Sequence, residues 1–172
     1  LAILAASMAP GTWAELATTN ITSVLSQSGA GFGNIVGGAN SAAWDSNRNV
    51  FHFVGKTAGA VGYKYVTYTE SNNTWNFVNS FISSFTNGHG YDGNTVDSTT
   101  GKVYFLPYQG HPANAIYSYP IGGPWGLESS WPIGSSYTSC CIGTTLWSGS
   151  MNGITNNALV IYNSAEANGE IQ

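Results

Sequence analysis

The sequence predicts an all-β fold of short antiparallel strands gathered into repeated four-stranded units. Three observations carry that expectation. No window of eleven or more residues keeps apolar side chains at i, i+3, i+4 and i+7 without a glycine or a β-branched run interrupting it. Short segments rich in β-branched and aromatic residues recur instead, each closed by Gly, Asn, Asp, Ser or Pro. The pattern then returns after about 50 residues, a period that accommodates four short strands.

The chain opens on Leu1 to Ala9, LAILAASMA, which is apolar, too short to span a bilayer, and expected to be the tail of a signal peptide or the interior of a longer product. Gly11-Thr-Trp-Ala-Glu-Leu16 reads as the last strand of a preceding unit. Gly29-Ala-Gly-Phe-Gly33 has the look of a phosphate-binding glycine run, but Asn-Ile-Val-Gly-Gly follows it where a helix N-terminus would be needed, so a connection between strands is expected. Strands are expected at Val50 to Val54, Tyr63 to Tyr68, Trp75 to Val78, Lys102 to Leu106, Ala115 to Tyr119 and Ala158 to Tyr162.

Repetition organises these segments. Ala43 to Phe53 aligns with Thr95 to Phe105, with one residue inserted in the turn, and sets Asp45 opposite Asp97. A tyrosine-rich strand follows each, and then a polar turn and a tryptophan, Trp75 or Trp125. A weaker third copy runs from Cys141 through Trp147 and Asn152-Gly153 into Ala158 to Tyr162. The expected organisation is one domain over 1–172, with the end of a preceding blade at 1–16, blades at 17–78 and 79–131, and an incomplete blade at 132–172. That is a β-propeller of four-stranded antiparallel blades, about three to four of them in this chain.

Pro10 to Trp13 (PGTW), Trp44 to Phe51 (WDSNRNVF), Tyr68 to Trp75 (YTESNNTW) and His89 to Asn94 (HGYDGN) together resemble the kelch-like propellers of the galactose-oxidase central-domain type, especially their bacterial and bacteriophage members. The resemblance spans nearly the whole chain and is loosest at Gly110 to Pro132. It departs at the double glycine that closes many kelch strands, replaced here by Val54-Gly55-Lys56 and Leu106-Pro107-Tyr108. Closed propellers have about 4 to 8 blades, so the resemblance implies that further blades, or neighbouring protein subunits, complete this one.

Composition narrows the function. Charged residues are 7% of the chain and the net charge is −4, with no basic stripe to neutralise phosphates, which excludes a nucleic-acid partner. A hydrophobic content of 42% supports a packed core and argues against an acidic disordered tail. The two cysteines, Cys140 and Cys141, are neighbours and cannot staple distant segments; two buried thiols are expected ahead of a strained vicinal disulfide.

Candidate chemistry is sparse. Asp92, Asn94 and Asp97 could offer oxygens to calcium, but the loop runs into a strand and lacks a terminal bidentate Glu. Asp45 and Asp97 fit better as acceptors for the backbone of their own turns. His52 sits in an alternating strand and is expected to be half-buried and hydrogen-bonded, and His111 falls in a loop. No two histidines have metal-ligand spacing, so no metal or cofactor is expected. The tyrosine, cysteine and histidine pattern of a copper oxidase has no counterpart, nor does the sialidase Asp-box. Trp13, Trp44 and Trp75 are expected to fill the space between blades, whereas Trp125, Trp131, Tyr108 and Tyr137 are expected to be exposed. The candidate binding residues are thus His89, Tyr91, Asp92, Tyr108, Trp125 and Trp131, with no catalytic residue assigned. The expected function is a non-enzymatic structural or recognition module, extracellular or on a virion surface such as a tail or fibre, binding protein or glycan. The alternative is a secreted carbohydrate-active enzyme or oxidase on the same scaffold.

Overall fold

The structure, a computed structural model, describes residues 2–26, 42–55, 63–81, 94–105, 115–130, 138–142, 145–149, 159–163 and 168–171. Among them, twelve strands form three four-stranded antiparallel sheets, each with its strands in sequence order. The first holds β1 (Ala43–Asp45), β2 (Val50–Gly55), β3 (Tyr63–Thr69) and β4 (Thr74–Phe81). The second holds β5 (Asn94–Asp97), β6 (Lys102–Phe105), β7 (Ala115–Tyr119) and β8 (Gly126–Ser130). The third holds β9 (Thr138–Ile142), β10 (Thr145–Gly149), β11 (Leu159–Asn163) and β12 (Asn168–Ile171). The described residues of all six expected strand segments lie in strands, with Leu106 and Ala158 outside the described residues, and the third unit, expected to be incomplete, carries four strands.

The repeat holds in atomic detail. Asp45 pairs with Val50 and Asp97 with Lys102, so both first hairpins have turns of the same length and the inserted residue expected from the sequence is not needed. Each turn ends on a left-handed residue, Asn49 at φ 53° and Gly101 at φ 73°. Asn and Gly are the residues that reach this region most cheaply. Within each turn the aspartate accepts two backbone N–H groups through Oδ1: Asn47 (3.0 Å) and Arg48 (3.2 Å) on Asp45, and Thr99 (2.8 Å) and Thr100 (3.4 Å) on Asp97. Both carboxylates are buried, and these bonds replace the water they lose. A β-bulge recurs as well, between Tyr65 and Val66 in β3 and between Ile116 and Tyr117 in β7.

Antiparallel register assigns each side chain to a face. On one face of the first sheet lie His52, Val54, Tyr63 and Tyr65; on the other lie Trp44, Phe51, Phe53, Val66, Tyr68 and Trp75. The first face packs flat on the second sheet, where Val96, Val103 and Phe105 join Val54, Tyr63 and Tyr65 in one buried cluster flanked by Tyr117, Tyr119 and Trp125. Ring contacts cross the seam, Tyr63 to Phe105 at 4.7 Å and Tyr65 to Tyr119 at 5.1 Å between centroids. Polar ties close its edges: Asn47 Nδ2 and Arg48 Nη1 donate to the Ser98 carbonyl at 2.7 and 2.9 Å, and Asn94 Nδ2 donates to the His52 carbonyl at 3.2 Å. β9 then lies beside β5, continuing the series toward the third sheet.

The N-terminal region differs from expectation. Ala2–Ser7 is a short helix, and Gly11 to Leu16, expected as a strand, has no regular structure. The chain joins the sheet later, where Thr19 forms an isolated parallel bridge to Thr74. Trp13, expected between blades, is 98% exposed, because the irregular backbone around it never enters the sheet stack.

Gly101 tests the hairpin design. A Cβ there would lie 2.6 Å from Ile121 Cδ1 and 2.7 Å from Arg48 Cζ, in a left-handed backbone. Gly101→Ala is expected to lower unfolding free energy by about 1–3 kcal/mol in denaturant titration, whereas Asn49→Gly at the matching position should change it by less than about 0.5 kcal/mol.

Candidate functional site

His89, Tyr91, Asp92, Tyr108 and Trp131 lie outside the described residues, as do His111, Tyr137 and the Gly29 to Gly33 run. Trp125 is the one candidate binding residue that is described. It does not stand in solvent as expected: its indole packs at 5.5 Å from Tyr65, 5.3 Å from Tyr119 and 6.3 Å from Phe105, between the first two sheets. The reason lies in the repeat, since Trp125 takes the place in the second sheet that Trp75 takes in the first. Each sits beside the last tyrosine of the preceding strand, Tyr119 or Tyr68, at 5.3 or 5.4 Å.

Two features of the first sheet bring functional groups together. The inner one is a buried file of Asp45, His52 and Tyr65. Tyr65 and His52 share a short hydrogen bond between the phenol oxygen and Nδ1 (2.6 Å), and His52 Nε2 lies 4.0 Å from Asp45 Oδ2. Burial lowers the His52 pKa to about 4; Asp45 pulls it upward and Arg48 pushes it down further. Neutral His52 is therefore the resting form. Burial likewise raises the Tyr65 pKa, with smaller contributions from Tyr119 and Asp45, so the phenol stays protonated. A tyrosine, histidine and aspartate in line form a proton-relay constellation, but the file opens onto the seam between two sheets and reaches no described cavity. Asp45 Oδ1 is spent on its turn, and Oδ2 accepts Arg48 Nη1 at 2.9 Å. The arrangement holds the seam together.

The outer feature is a pocket on the opposite face. Trp44, Phe51, Tyr68 and Trp75 form one aromatic row across all four strands, with successive centroids 4.5, 6.4 and 5.4 Å apart. The N-terminal segment crosses part of this face. Val24 and Leu25 of the helical turn Thr22–Ser26 pack on Val66, Phe53 and Trp75. The segment is tied by Thr19 N–H to the Asn73 carbonyl (3.0 Å), Trp75 N–H to the Thr19 carbonyl (3.0 Å), and Lys64 Nζ to the Val24 carbonyl (3.0 Å). Lys64 is buried, and that burial lowers its pKa. Between the segment and the row remains an open cavity of about 330 Å³ lined by Leu16, Thr18, Ile21, Ala42, Phe51, Tyr68 and Trp75. Its polar atoms are committed: the Tyr68 hydroxyl donates to Asn73 Oδ1 (2.8 Å) and Trp75 Nε1 donates to Thr18 Oγ1 (3.1 Å). Such a cavity offers apolar contact and no convergent polar group to orient a small ligand.

Sequence reasoning assigned these aromatics to packing and missed the cavity. The repeat carried the signal, because the row it aligns with in the second sheet is buried by a neighbour. Among the described residues, no three His, Cys, Asp or Glu side chains gather as a metal site, and no helix is long and apolar enough to cross a membrane. The Lys102 to Glu128 pair (2.6 Å), with Ser118 donating to Glu128 (2.7 Å), ties strands of the second sheet.

No protein-family model matches the sequence, and no curated protein matches it. The fold does have solved neighbours. A chain in the crystal structure of a nidogen–laminin complex is similar, with a TM-score of 0.56 at 10% identity over 77% of this chain. That likeness supports a propeller-like succession of four-stranded antiparallel sheets. The present chain spans 46% of the neighbour's length.

Two measurements check the roles assigned here. The unfolded-state His52 pKa is near 6.5 and the folded value about 4, so the unfolded chain binds the extra proton as pH falls. The stability that neutral His52 confers is complete above pH 6.5, declines between 6.5 and 4, and is gone below 4, a loss of up to about 3 kcal/mol. His52→Gln should flatten that part of a stability-against-pH curve. Trp125→Ala should cost about 2–4 kcal/mol in thermal or denaturant unfolding, as removal of an inter-sheet aromatic does and removal of an exposed ligand contact does not.

Proposed function

We propose that this chain is a non-enzymatic structural and recognition module, part of a kelch-like β-propeller that works outside the cytoplasm, as a virion tail or fibre component or in a secreted bacterial protein. One observation carries the non-enzymatic reading: the buried acids Asp45 and Asp97 are spent on the backbone of their own hairpins, where a hydrolase would hold carboxylates open to substrate. A chain with only 7% charged residues, whose surface must be solvated largely by hydroxyls and amides, supports an extracellular setting. Further blades or neighbouring subunits complete the propeller. The neighbour's occurrence in a nidogen–laminin complex favours protein as the partner class over glycan.

His89, Tyr91, Asp92, Tyr108 and Trp131 are the recognition residues of this reading, and Trp125 supports them from the core. The test uses the chain with Trp131→Ala, His89→Ala and Asp92→Ala. Retention on immobilised candidate protein partners should fall at least fivefold for one or more variants at unchanged melting temperature. A panel of chromogenic glycosides and of primary alcohols should show no turnover. Turnover that Asp92→Ala or His89→Ala abolishes would replace this reading with a secreted carbohydrate-active enzyme or oxidase. Retention on a glycan array, lost in Trp131→Ala, would replace protein with glycan as the partner.

A further inference from the structure

We propose that Asn20 and Asn72 are acceptors for asparagine-linked glycans, brought together at one corner of the first sheet. The inference rests on the reading that the chain works outside the cytoplasm, and adds a covalent modification to it.

The sequence sets the candidates. Oligosaccharide is attached to asparagine within the tripeptide Asn-X-Ser/Thr, where X is not proline. Only two asparagines of the chain stand in that tripeptide, in Asn20-Ile21-Thr22 and in Asn72-Asn73-Thr74.

The structure sets these two apart from their neighbours. Asn20 and Asn72 are both exposed, and among the described residues neither side-chain amide has a hydrogen-bond partner. Other asparagines are committed to the fold: Nδ2 of Asn47 donates to the Ser98 carbonyl (2.7 Å), that of Asn73 to the Ala17 carbonyl (2.8 Å), and that of Asn94 to the His52 carbonyl (3.2 Å). Both acceptors also sit where the backbone turns. Asn20 holds a left-handed conformation, φ 66°, at the entry to the helical turn Thr22–Ser26. Asn72 ends the helical turn Glu70–Asn72 between β3 and β4, and the left-handed Asn73, φ 54°, follows it. Turns of this kind lie on the surface, where a bulky substituent meets no packed neighbour. The Thr74 hydroxyl donates to the Asn72 carbonyl at 2.9 Å, so the second tripeptide is folded upon itself at the tip of its hairpin.

The two tripeptides meet although 52 residues separate Asn20 from Asn72 in the chain. Thr19 N–H donates to the Asn73 carbonyl and Trp75 N–H to the Thr19 carbonyl, each at 3.0 Å, in the bridge between Thr19 and Thr74. Residues 20–22 begin directly after that bridge and residues 72–74 end on it. A hydrophilic cover suits this corner. β4 is an edge strand of its sheet, Ile21 is 44% exposed and Phe77 is 51% exposed. Charged side chains, which commonly guard such an edge, make up only 7% of the chain.

The co-substrate is an oligosaccharide carried on a lipid pyrophosphate. The bond from its anomeric carbon to the pyrophosphate oxygen breaks as that carbon bonds to Nδ2 of the asparagine; the amide nitrogen gives up one proton and the lipid pyrophosphate leaves.

The 172-residue chain, exported by a cell that carries an oligosaccharyltransferase, tests this through its intact mass before and after peptide N-glycosidase treatment. The expected product is a folded, released chain bearing two glycans. Asn20→Gln and Asn72→Gln each lose one glycan; Thr74→Ala loses the glycan at Asn72 and Thr74→Ser keeps it. Asn76→Gln, at an exposed asparagine outside the motif, keeps both. A released, folded chain of unmodified mass, or glycans indifferent to Thr74→Ala, overturns the proposal and leaves the extracellular reading standing. Failure of release, for a chain whose slow amide exchange at Val54 and Val103 shows it folded when made in the cytoplasm, overturns that reading and the acceptor sites with it.

Discussion

A buried aspartate at the start of each first hairpin is the constraint on which the rest of this structure depends. Asp45 and Asp97 have little room to solvate their charge, so each carboxylate must be met by donors, and the nearest donors are the N–H groups two and three residues ahead. Meeting them bends the chain into a tight turn that needs a left-handed residue before the second strand, supplied by Asn49 and Gly101. Turn length then fixes the pairing register, and a slip of one residue would send every inward side chain to the opposite face. The aromatic rows and the flat inter-sheet seam follow from that register.

The seam explains how a chain with so few charges holds its sheets in order. Apolar contact between flat faces is non-directional and would tolerate sliding. Directional groups at the edge remove that freedom: Arg48 binds its own Asp45 and reaches across to the Ser98 carbonyl, joining the first hairpin to the second. Arg suits this place because its guanidinium presents several donors in one rigid plane. Gly101 lies against the ends of the Arg48 and Ile121 side chains, which a Cβ there would displace, and its left-handed backbone favours glycine. A small number of polar groups, placed at turns, thus orients a large apolar interface.

Much of this was legible in the sequence, for reasons that are local. Asp45 and Asp97 with their turns, the strands at Val50, Tyr63, Lys102 and Ala115, and the hydrogen-bonded His52 all follow from short-range pattern and turn chemistry, although His52 is buried rather than half-buried. What the sequence could not give was which copy of a repeated position is covered. Trp75 and Trp125 look alike in their strings, yet Trp125 packs against a neighbouring sheet and Trp75 against the N-terminal segment bound through Thr18 and Thr19. Exposure at such positions is set by tertiary neighbours. Trp13 shows the opposite error, an aromatic in a motif-like string whose backbone takes no part in a sheet.

Side-chain size on the two equivalent faces carries the last step. At the inner seam the large rings of Tyr65 and Trp125 meet, while Val96 and Val103, small and branched, leave room for the tyrosines opposite. On the outer face those two places hold Trp44 and Phe51, with rings 4.5 Å apart. Interiors pack at nearly constant density, so large side chains on one face call for small ones on the other.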